Sequence, residues 1–316
     1  MSALEVITQA LALMVALATA PLFLGWVNQC RAWLQNRRAP SIWLPYRGIR
    51  KLFHKDAVIA SNASPLFRFA PYVVFAAMVV AAGIIPSLST RLPFTVAADA
   101  IALVGLLATA RVFMSLAAMD IGTAFGTLGA RREMMVGFLA EPALLMVVFV
   151  ASMISATTAL PAIAENLATQ SLGLYPSLAF TAVAFTLVLL AENARIPIDN
   201  PATHLELTMI HEALVLEYSA RHLALMEWAA ALKLLNYACI GFALFAPWGI
   251  ATGAGGPASL LASIPVLGAK LTLAGFALAL VETVSAKLRV FRAPEFLAVA
   301  FLLAVLGLLV HLLLGA

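Results

Sequence analysis

The sequence predicts an all-α integral membrane protein of about eight transmembrane helices. Composition is the first reason, because 63% of the 316 residues are hydrophobic and only 11% are charged, against about 25% charged residues in soluble domains. The second reason is that the apolar residues gather into segments of about 20 residues, which is the length that crosses roughly 30 Å of hydrocarbon. We expect a single polytopic membrane domain over residues 1–316 and no separate soluble domain.

Eight segments meet this length. The first follows Glu5 rather than a cluster of lysines, so we expect a retained helix and not a cleaved signal peptide. The fourth contains Pro142, which is expected to kink it. The seventh carries Lys270 and Glu282 near its two ends, and we interpret Glu282 as a helix-end charge that reaches water or forms a structural ion pair. In chain order the predicted spans are 4–27, 66–88, 96–119, 134–155, 175–194, 223–248, 263–284 and 296–314.

The basic residues of the connecting loops are distributed unevenly between the two sides of the membrane. On one side only Arg91 is found, whereas fifteen basic residues lie in or beside the alternate loops. Cytoplasmic loops carry the excess of lysine and arginine. We therefore expect both termini on the non-cytoplasmic side of the cytoplasmic (inner) membrane of a prokaryote. The four polar loops expected in the cytoplasm are about 28–65, 120–133, 195–222 and 285–295.

The first cytoplasmic loop contains a predicted amphipathic helix over residues 41–54. Apolar residues recur there at helical spacing, and basic residues occupy another face. Such a helix can lie in the headgroup plane of the bilayer, or it can form a docking surface for a cytoplasmic partner, and both can hold at once. The apolar residues are Ile42, Tyr46, Ile49 and Phe53, and the basic ones are Arg47, Arg50 and Lys51.

Several ionisable residues lie inside the predicted helices, where each costs at least about 2.5–3.5 kcal/mol at the centre of a span. Charges near a helix end can reach water or form structural ion pairs. The deeper ones favour a polar cavity between helices, entered from the cytoplasm, in which carboxylates relay protons. The relay candidates within helices are Arg111, Glu141, Glu192, Glu227 and Lys233.

The loop at about 195–222 is rich in acidic and histidine residues, among them Asp199, Glu206 and Glu217. Pro197 and Pro201 break the helix, so we expect irregular backbone over 193–203 that lines a cavity. A short helix from Leu205 onward is expected to place His204 and His211 on one face.

The same loop has no signature of a metal or redox site. The run beginning H-E-A-L-V lacks the second histidine of an H-E-x-x-H zinc site. The sequence also lacks paired haem ligands, a glycine-rich nucleotide loop and a nucleophile–base motif. We expect no metal, no cofactor and no catalysis by this chain alone, and no nucleic acid partner.

Four of these loops resemble those of one family, which comprises subunit 1 of complex I and the related membrane subunits of membrane-bound [NiFe] hydrogenases. R-R-A-P with P-Y-R-G-I-R-K-L-F resembles R-R-G-P…Y-x-D-x-x-K-L-F. D-I-G-T-A-F-G-T-L-G-A-R-R-E resembles D-x-G-x-x-F-x-x-x-G-A-S-R-E. E-N-A-R-I-P-I-D and V-E-T-V-S-A-K-L-R resemble E-x-x-x-x-P-F-D and E-N-x-x-A-R-x-R. The four runs occupy residues 37–53, 120–133, 192–199 and 281–289, in the family's order.

The resemblance implies a subunit without cofactors that binds a hydrogenase-like or quinone-reducing arm. It also implies a chain of acidic residues, near Glu141, Glu192, Asp199, Glu206 and Glu217, that links redox chemistry to ion movement in antiporter-like membrane subunits. The [NiFe] centre and the iron–sulfur clusters are then expected in partners: the large and small hydrogenase subunits and an iron–sulfur subunit. The matching positions on the docking side are Arg37, Arg38, Pro40, Tyr46, Lys51, Asp120, Arg132 and Glu133.

Departures from the family pattern favour one branch of it. Ala202 and His204 stand where the quinone-using branch has carboxylates, and R-H-L-A-L-M-E-W-A-A-A-L-K resembles the formate hydrogenlyase and hydrogenase-4 branch. A hydrogenase-type complex is therefore the favoured reading, and the quinone-site subunit of a complex I-type enzyme is the alternative. A stand-alone transporter, which is expected to show inverted repeats, and a purely structural anchor are two further alternatives.

Overall fold

The computed structural model describes residues 3–91, 99–169, 176–199, 209–252, 257–288 and 292–314. Within these ranges the chain is helical, and its only β-type pairings are two isolated bridges. The all-α class predicted from the sequence is confirmed. The helices are α1 (Ala3–Leu34), α2 (Leu44–Phe53), α3 (Pro65–Ile84), α4 (Ala100–Asp120), α5 (Ala124–Ser155), α6 (Leu160–Thr169), α7 (Pro176–Glu192), α8 (His211–Val215), α9 (Ala220–Phe245), α10 (Pro257–Val284) and α11 (Ala293–Leu314).

Seven described helices have the length and apolar composition to cross a bilayer, namely α1, α3, α4, α5, α9, α10 and α11. The remaining predicted span, 175–194, corresponds to α7, which is apolar but has 17 described residues. Residues 170–175 at its start lie outside the described ranges. The predicted segments and the observed helices therefore correspond one to one.

Two helices extend well beyond the segments that hydropathy marks. Helix α1 continues to Leu34, seven residues into the predicted loop 28–65. Helix α5 begins at Ala124, so the predicted loop 120–133 is mostly its first three turns. The Thr123 hydroxyl accepts a hydrogen bond from the backbone N–H of Gly126 and starts this helix. Hydropathy marks only the part of a helix that crosses the hydrocarbon, whereas the helical hydrogen bonds of α1 and α5 continue beyond it. The predicted loops 28–65 and 120–133 were therefore too long.

Helix α9 is the central element of the bundle and is largely buried. It packs against α1 and α3, and α3 packs against α4, which in turn packs against α5. Helix α11 packs against α5 and α7, while α10 packs mainly against α1. The inner faces of α4, α5, α7 and α9 thereby surround one region of the bundle interior.

The four basic loops lie on one side of the bundle and are tied to one another there. The backbone N–H of Ser64 donates to Asp120 over 2.9 Å, and the Ser219 hydroxyl donates to the carbonyl of Val58 over 2.6 Å. The backbone N–H of Leu288 donates to the carbonyl of Pro197 over 2.8 Å. We call this side the basic side. The opposite side is joined separately, for example by Thr90 N–H to the Ala251 carbonyl at 3.0 Å.

Helix α2, over residues 44–53, confirms most of the amphipathic helix predicted over residues 41–54, and much of its apolar face packs on protein. The Tyr46 hydroxyl donates to the carbonyl of Ala18 in α1, and Ile49 is buried. The Phe53 ring stands edge-on to Trp228 in α9, with centroids 6.5 Å apart. Exposed basic residues, including Arg50 and Lys51, occupy its outer face.

The segment after α7 confirms irregular backbone over residues 193–199, whereas residues 200–208, with His204 and Glu206, lie outside the described ranges. A short helix was expected from Leu205; within the described residues it is α8, from His211 to Val215, and Met209 and Ile210 are not helical. Backbone N–H groups of Ile210 and His211 donate instead to the carboxylate of Asp199, at 3.2 and 3.1 Å. This carboxylate binds the segment at the point where α8 begins.

Candidate functional site: a buried ion-pair cluster beside a polar cavity

Arg111 in α4 is the centre of a buried group of charged side chains. Its guanidinium contacts three glutamates: Glu192 through Nη2, Glu141 with Nη1 to Oε1 at 2.6 Å, and Glu133 with Nε to Oε1 at 3.5 Å. The ammonium of Lys233 in α9 lies 3.0 Å from the second oxygen of Glu192. We call Arg111, Glu133, Glu141, Glu192 and Lys233 the central cluster. Four helices contribute to it.

Helix α5 is shaped to receive this guanidinium. Glu133, Gly137 and Glu141 follow each other at intervals of four residues, so they lie on one face of the helix. The guanidinium of Arg111 lies over Gly137, between the two glutamates, where a β-carbon would come within 2.8 Å of its Cδ. The absent side chain at Gly137 is therefore what allows the arginine to approach the helix backbone.

The central cluster contains three carboxylates and two cations, so its formal charge is −1 when every group is ionised. The side chain of Glu192 is 1% exposed, whereas that of Glu141 is 34% exposed on the outer surface of α5. Tyr237 is fully buried beside Glu192. Buried charge is stable only when paired, and one added proton would make this cluster formally neutral.

A second group of charged residues joins the ends of helices and the segment after α7. Glu282 in α10 lies 3.2 Å from Arg195 and 3.6 Å from Arg31 in α1. Asp199 Oδ1 lies 3.6 Å from the ammonium of Lys287. We call Arg31, Arg195, Asp199, Glu282 and Lys287 the loop cluster. Burial lowers the pKa of Arg195, and the carboxylate of Glu282 opposes that shift.

A cavity of about 280 Å³ lies between the two clusters on the basic side. Its polar lining includes members of both clusters, together with residues of α8 and α9 that belong to neither. A smaller space of about 30 Å³ lies against Arg111 and Lys233. His211, Val215, Met226, Ala230 and Lys233 line both spaces. The polar residues of the larger cavity are Asn28, Arg31, Glu192, Asn193, Arg195, Asp199, His211, Glu212, Glu227 and Lys233.

The structure brings together most of the predicted relay residues. Arg111, Glu141, Glu192 and Lys233 belong to the central cluster. Asp199 belongs to the loop cluster, and Glu227 lines the larger cavity without joining either cluster. Glu217 is exposed in the turn after α8 and lines neither space. Glu206 lies outside the described residues.

The predicted docking residues divide into two groups. Arg37, Arg38 and Lys51 are exposed on the basic side, and Pro40 beside them is partly exposed. The others make contacts within the chain: Tyr46 with Ala18, Asp120 with Ser64, and Arg132 with the carbonyl of Met209 at 2.7 Å. Glu133, expected in an exposed loop, is instead 5% exposed and belongs to the central cluster.

Sequence reasoning left one question open and missed one feature. Glu282 was expected either to reach water or to form a structural ion pair, and it is 2% exposed and paired with Arg31 and Arg195. The sequence could not name these partners because they come from α1 and from the segment after α7, both distant in sequence. Gly137 was not considered at all. Its position midway between two glutamates spaced eight apart in an apolar helix was the available signal.

The chain is similar in sequence to one protein family and to components of hydrogenase-4 and formate hydrogenlyase. The model of the NADH dehydrogenase family matches residues 7–313. Hydrogenase-4 component C of Escherichia coli K12 is 36% identical over 236 residues, which are 74% of this chain and 73% of that protein. Formate hydrogenlyase subunit 4 of the same organism is 33% identical over 300 residues, 93% of this chain and 94% of that protein.

The fold is also similar to that of a chain in the membrane-bound sulfane sulfur reductase, an archaeal respiratory membrane complex. The TM-score is 0.83 at 19% sequence identity, and the match covers 96% of this chain and 98% of that one. At this identity the match supports the fold alone.

Proposed function

This chain belongs to the NADH dehydrogenase family, whose pattern is that of complex I subunit 1, and on that premise we propose that it is the non-redox membrane-anchor subunit of a formate hydrogenlyase-like or hydrogenase-4-like complex. In this proposal it docks the [NiFe] hydrogenase arm and couples electron transfer in that arm to proton movement. The [NiFe] centre and iron–sulfur clusters belong to partner subunits. The chain is not an enzyme by itself, and it resides in the inner membrane of a prokaryote with both termini on the non-cytoplasmic side.

The central cluster beside a cavity on the basic side is the observation that carries the coupling proposal. Five ionisable groups are held together inside a bundle of apolar helices, where isolated charges are expensive. The excess of one carboxylate means that the cluster can take up a proton while its other groups remain paired. The larger cavity, which Glu192 and Lys233 line, is the entrance for protons from the basic side.

Glu141 is the residue through which protons leave the central cluster. Its side chain is 34% exposed on the face of α5 that also exposes Phe138 and Leu145. A carboxylate exposed to lipid is unfavourable, so a polar group of a neighbouring membrane subunit is expected to cover it. An antiporter-like subunit at this face is the partner that the proposal names.

Docking of the hydrogenase arm is assigned to the basic side. Arg37, Arg38 and Lys51 are exposed there, and the loops around them are tied together by hydrogen bonds. A rigid basic surface of this kind favours a partner surface with acidic groups. Because the cavity lies on the same side, the docked arm would sit above its entrance.

A quinone-site subunit is the second candidate function, favoured by the larger cavity. Its volume of about 280 Å³ and its mixture of apolar side chains such as Leu24 and Met226 with polar ones suit a small ring-shaped ligand. Binding of a short-chain quinone to the purified complex, measured by displacement of a labelled analogue, would favour this candidate over the hydrogenase proposal.

The proposal is tested with the complex that purifies with a tagged version of this chain. We expect hydrogen evolution with reduced methyl viologen, and acidification or alkalinisation of proteoliposomes during turnover. Glu141→Gln and Glu192→Gln should abolish proton movement while the complex still assembles and evolves hydrogen. Normal proton movement in both variants would refute the coupling role, and a co-purifying arm without hydrogenase activity would refute the hydrogenase assignment.

A further inference from the structure

His211 occupies the boundary between the two cavities. It is the first residue of α8 and lines both the space of about 280 Å³ and the space of about 30 Å³ that reaches Arg111. Among the described residues its ring has no hydrogen-bond partner, and its position is set through the backbone. Its N–H donates to Asp199 over 3.1 Å, and Arg132 holds the nearby carbonyl of Met209 over 2.7 Å. The imidazole is therefore placed at the boundary without being needed to hold the helix there.

Charged groups of both signs lie around this ring on α4, α5, α8, α9 and the segment after α7. Among them, the carboxylate of Asp199 and the ammonium of Lys233 belong to different clusters, so His211 lies where the two clusters approach each other. The groups are Arg111 in α4, Glu133 in α5, Lys233 and Glu227 in α9, Asp199 in the segment after α7, and Glu212 in α8 itself.

The protonation state of the ring suits transfer in either direction. Burial lowers the pKa of His211, and Lys233 acts in the same direction, while Glu133, Asp199 and Glu212 oppose the shift. The ring is consequently neutral at neutral pH. A neutral imidazole accepts a proton at one nitrogen and donates from the other, so it can pass a proton between waters on its two sides without leaving its place.

We propose that His211 is the proton-transfer residue that connects the larger cavity to Glu133 of the central cluster. Each transfer takes one proton from a donor in the larger cavity onto one ring nitrogen and releases one from the other nitrogen to the carboxylate of Glu133, directly or through water in the smaller space, with no change in oxidation state. This inference deepens the proposed function and rests on it. It assigns to a histidine the step from the larger cavity to Glu133, which lines neither cavity, whereas Glu192 lines the larger cavity itself.

The test replaces the imidazole and then returns it as a solute. His211→Ala in the complex purified with this chain and reconstituted into liposomes should slow proton movement by about 100-fold or more, the usual range for a lost general acid–base group. Hydrogen evolution with reduced methyl viologen should stay unchanged, because that reaction belongs to the docked arm. Imidazole, which is small enough for the larger cavity, should restore proton movement, and substituted imidazoles should do so according to their pKa.

Two further variants separate transfer from structure. His211→Gln keeps the volume and a hydrogen-bonding group but cannot carry a proton, so it should be as slow as His211→Ala. The matched control is His222→Gln, because His222 is a buried histidine that stacks edge-on to Tyr72 and lines neither cavity. This control should move protons at the normal rate.

The outcomes distinguish this inference from the proposed function. If the unmodified complex moves no protons, both are overturned. If it does move them and His211→Ala or His211→Gln stays within about twofold of it, the role of His211 is overturned while the proposed function stands. Loss of movement that imidazoles do not restore, or failure of both variants to assemble, would make His211 a structural residue and would equally overturn the inference.

Discussion

The two charged clusters are built from similar residues but have opposite formal charge. The central cluster has three carboxylates and two cations, whereas the named members of the loop cluster are three cations and two carboxylates. The residues of the central cluster belong to four helices, α4, α5, α7 and α9. The loop cluster instead joins the ends of α1 and α10 to the irregular segment 193–199.

This difference suggests different tasks for the two clusters. In the proposed function the excess carboxylate lets the central cluster take up a proton, because the added proton would remove an unpaired negative charge from a buried site. The loop cluster has an excess of cation instead, and its ion pairs are suited to hold the segment that forms one wall of the larger cavity. The following substitutions test this division, in order of expected effect.

Removing the shared cation of the central cluster should have the largest effect. Arg111→Met leaves Glu133, Glu141 and Glu192 without their common partner, and breaking a buried ion pair from one side costs about 3–5 kcal/mol. We expect a loss of most folded protein, measured by detergent-resistant yield and thermal midpoint. Arg111→Lys keeps the charge but not the planar guanidinium, so its thermal midpoint should lie between those of Arg111→Met and the unmodified protein. An unchanged midpoint for Arg111→Met would show that the cluster is not structural.

A methyl group at Gly137 should disturb the same cluster without removing a charge. Gly137→Ala places a carbon against Arg111 and should destabilise the protein by about 1–3 kcal/mol, as overpacking does. Gly105→Ala in α4 is the matched control, since nothing lies within 4 Å of the added carbon there, and it should be neutral or slightly stabilising. Equal thermal midpoints for the two variants would contradict the close packing of Arg111 against Gly137.

Neutralising Glu282 should loosen the loop cluster and spare the central one. Glu282→Gln leaves Arg31 and Arg195 without their shared carboxylate, so the segment 193–199 should open more often. Hydrogen–deuterium exchange of that segment should rise about tenfold, which corresponds to about 1.4 kcal/mol. Exchange around Glu133 and Glu141 should not change. Equal acceleration in both regions would mean that the two clusters form one unit.

The smallest effect is expected at the edge of the loop cluster. Lys287 is 22% exposed and lies 3.6 Å from Asp199, so Lys287→Ala should cost about 1 kcal/mol or less. High salt should weaken this pair in the unmodified protein and so reduce the difference in stability between that protein and Lys287→Ala. Thermal midpoints of both proteins at low and high salt measure this difference, and a difference that grows with salt would contradict an electrostatic origin.

Much of the site could be predicted from the sequence because deep charges in apolar helices demand partners. That Arg111, Glu141, Glu192 and Lys233 need partners follows from their position in apolar helices. Which of these residues pair with each other does not follow from the sequence. Glu133 was misplaced because Arg131 and Arg132 beside it indicated a loop, and the buried face of α5 was not apparent from composition. The ion pair of Glu282 was one of the two outcomes expected from the sequence, but its partners could not be named because they are distant in sequence.

The sequence by itself determined the fold class, the membrane segments, the grouping of basic loops on one side and the family. These properties depend on hydropathy and local pattern, which each segment carries independently of its neighbours. Only the tertiary structure decided which charges pair, that Gly137 receives Arg111, and that His211 lies between two cavities. Such contacts join residues as far apart as Arg111 and Glu192, and they depend on which helix faces meet, which no single segment specifies.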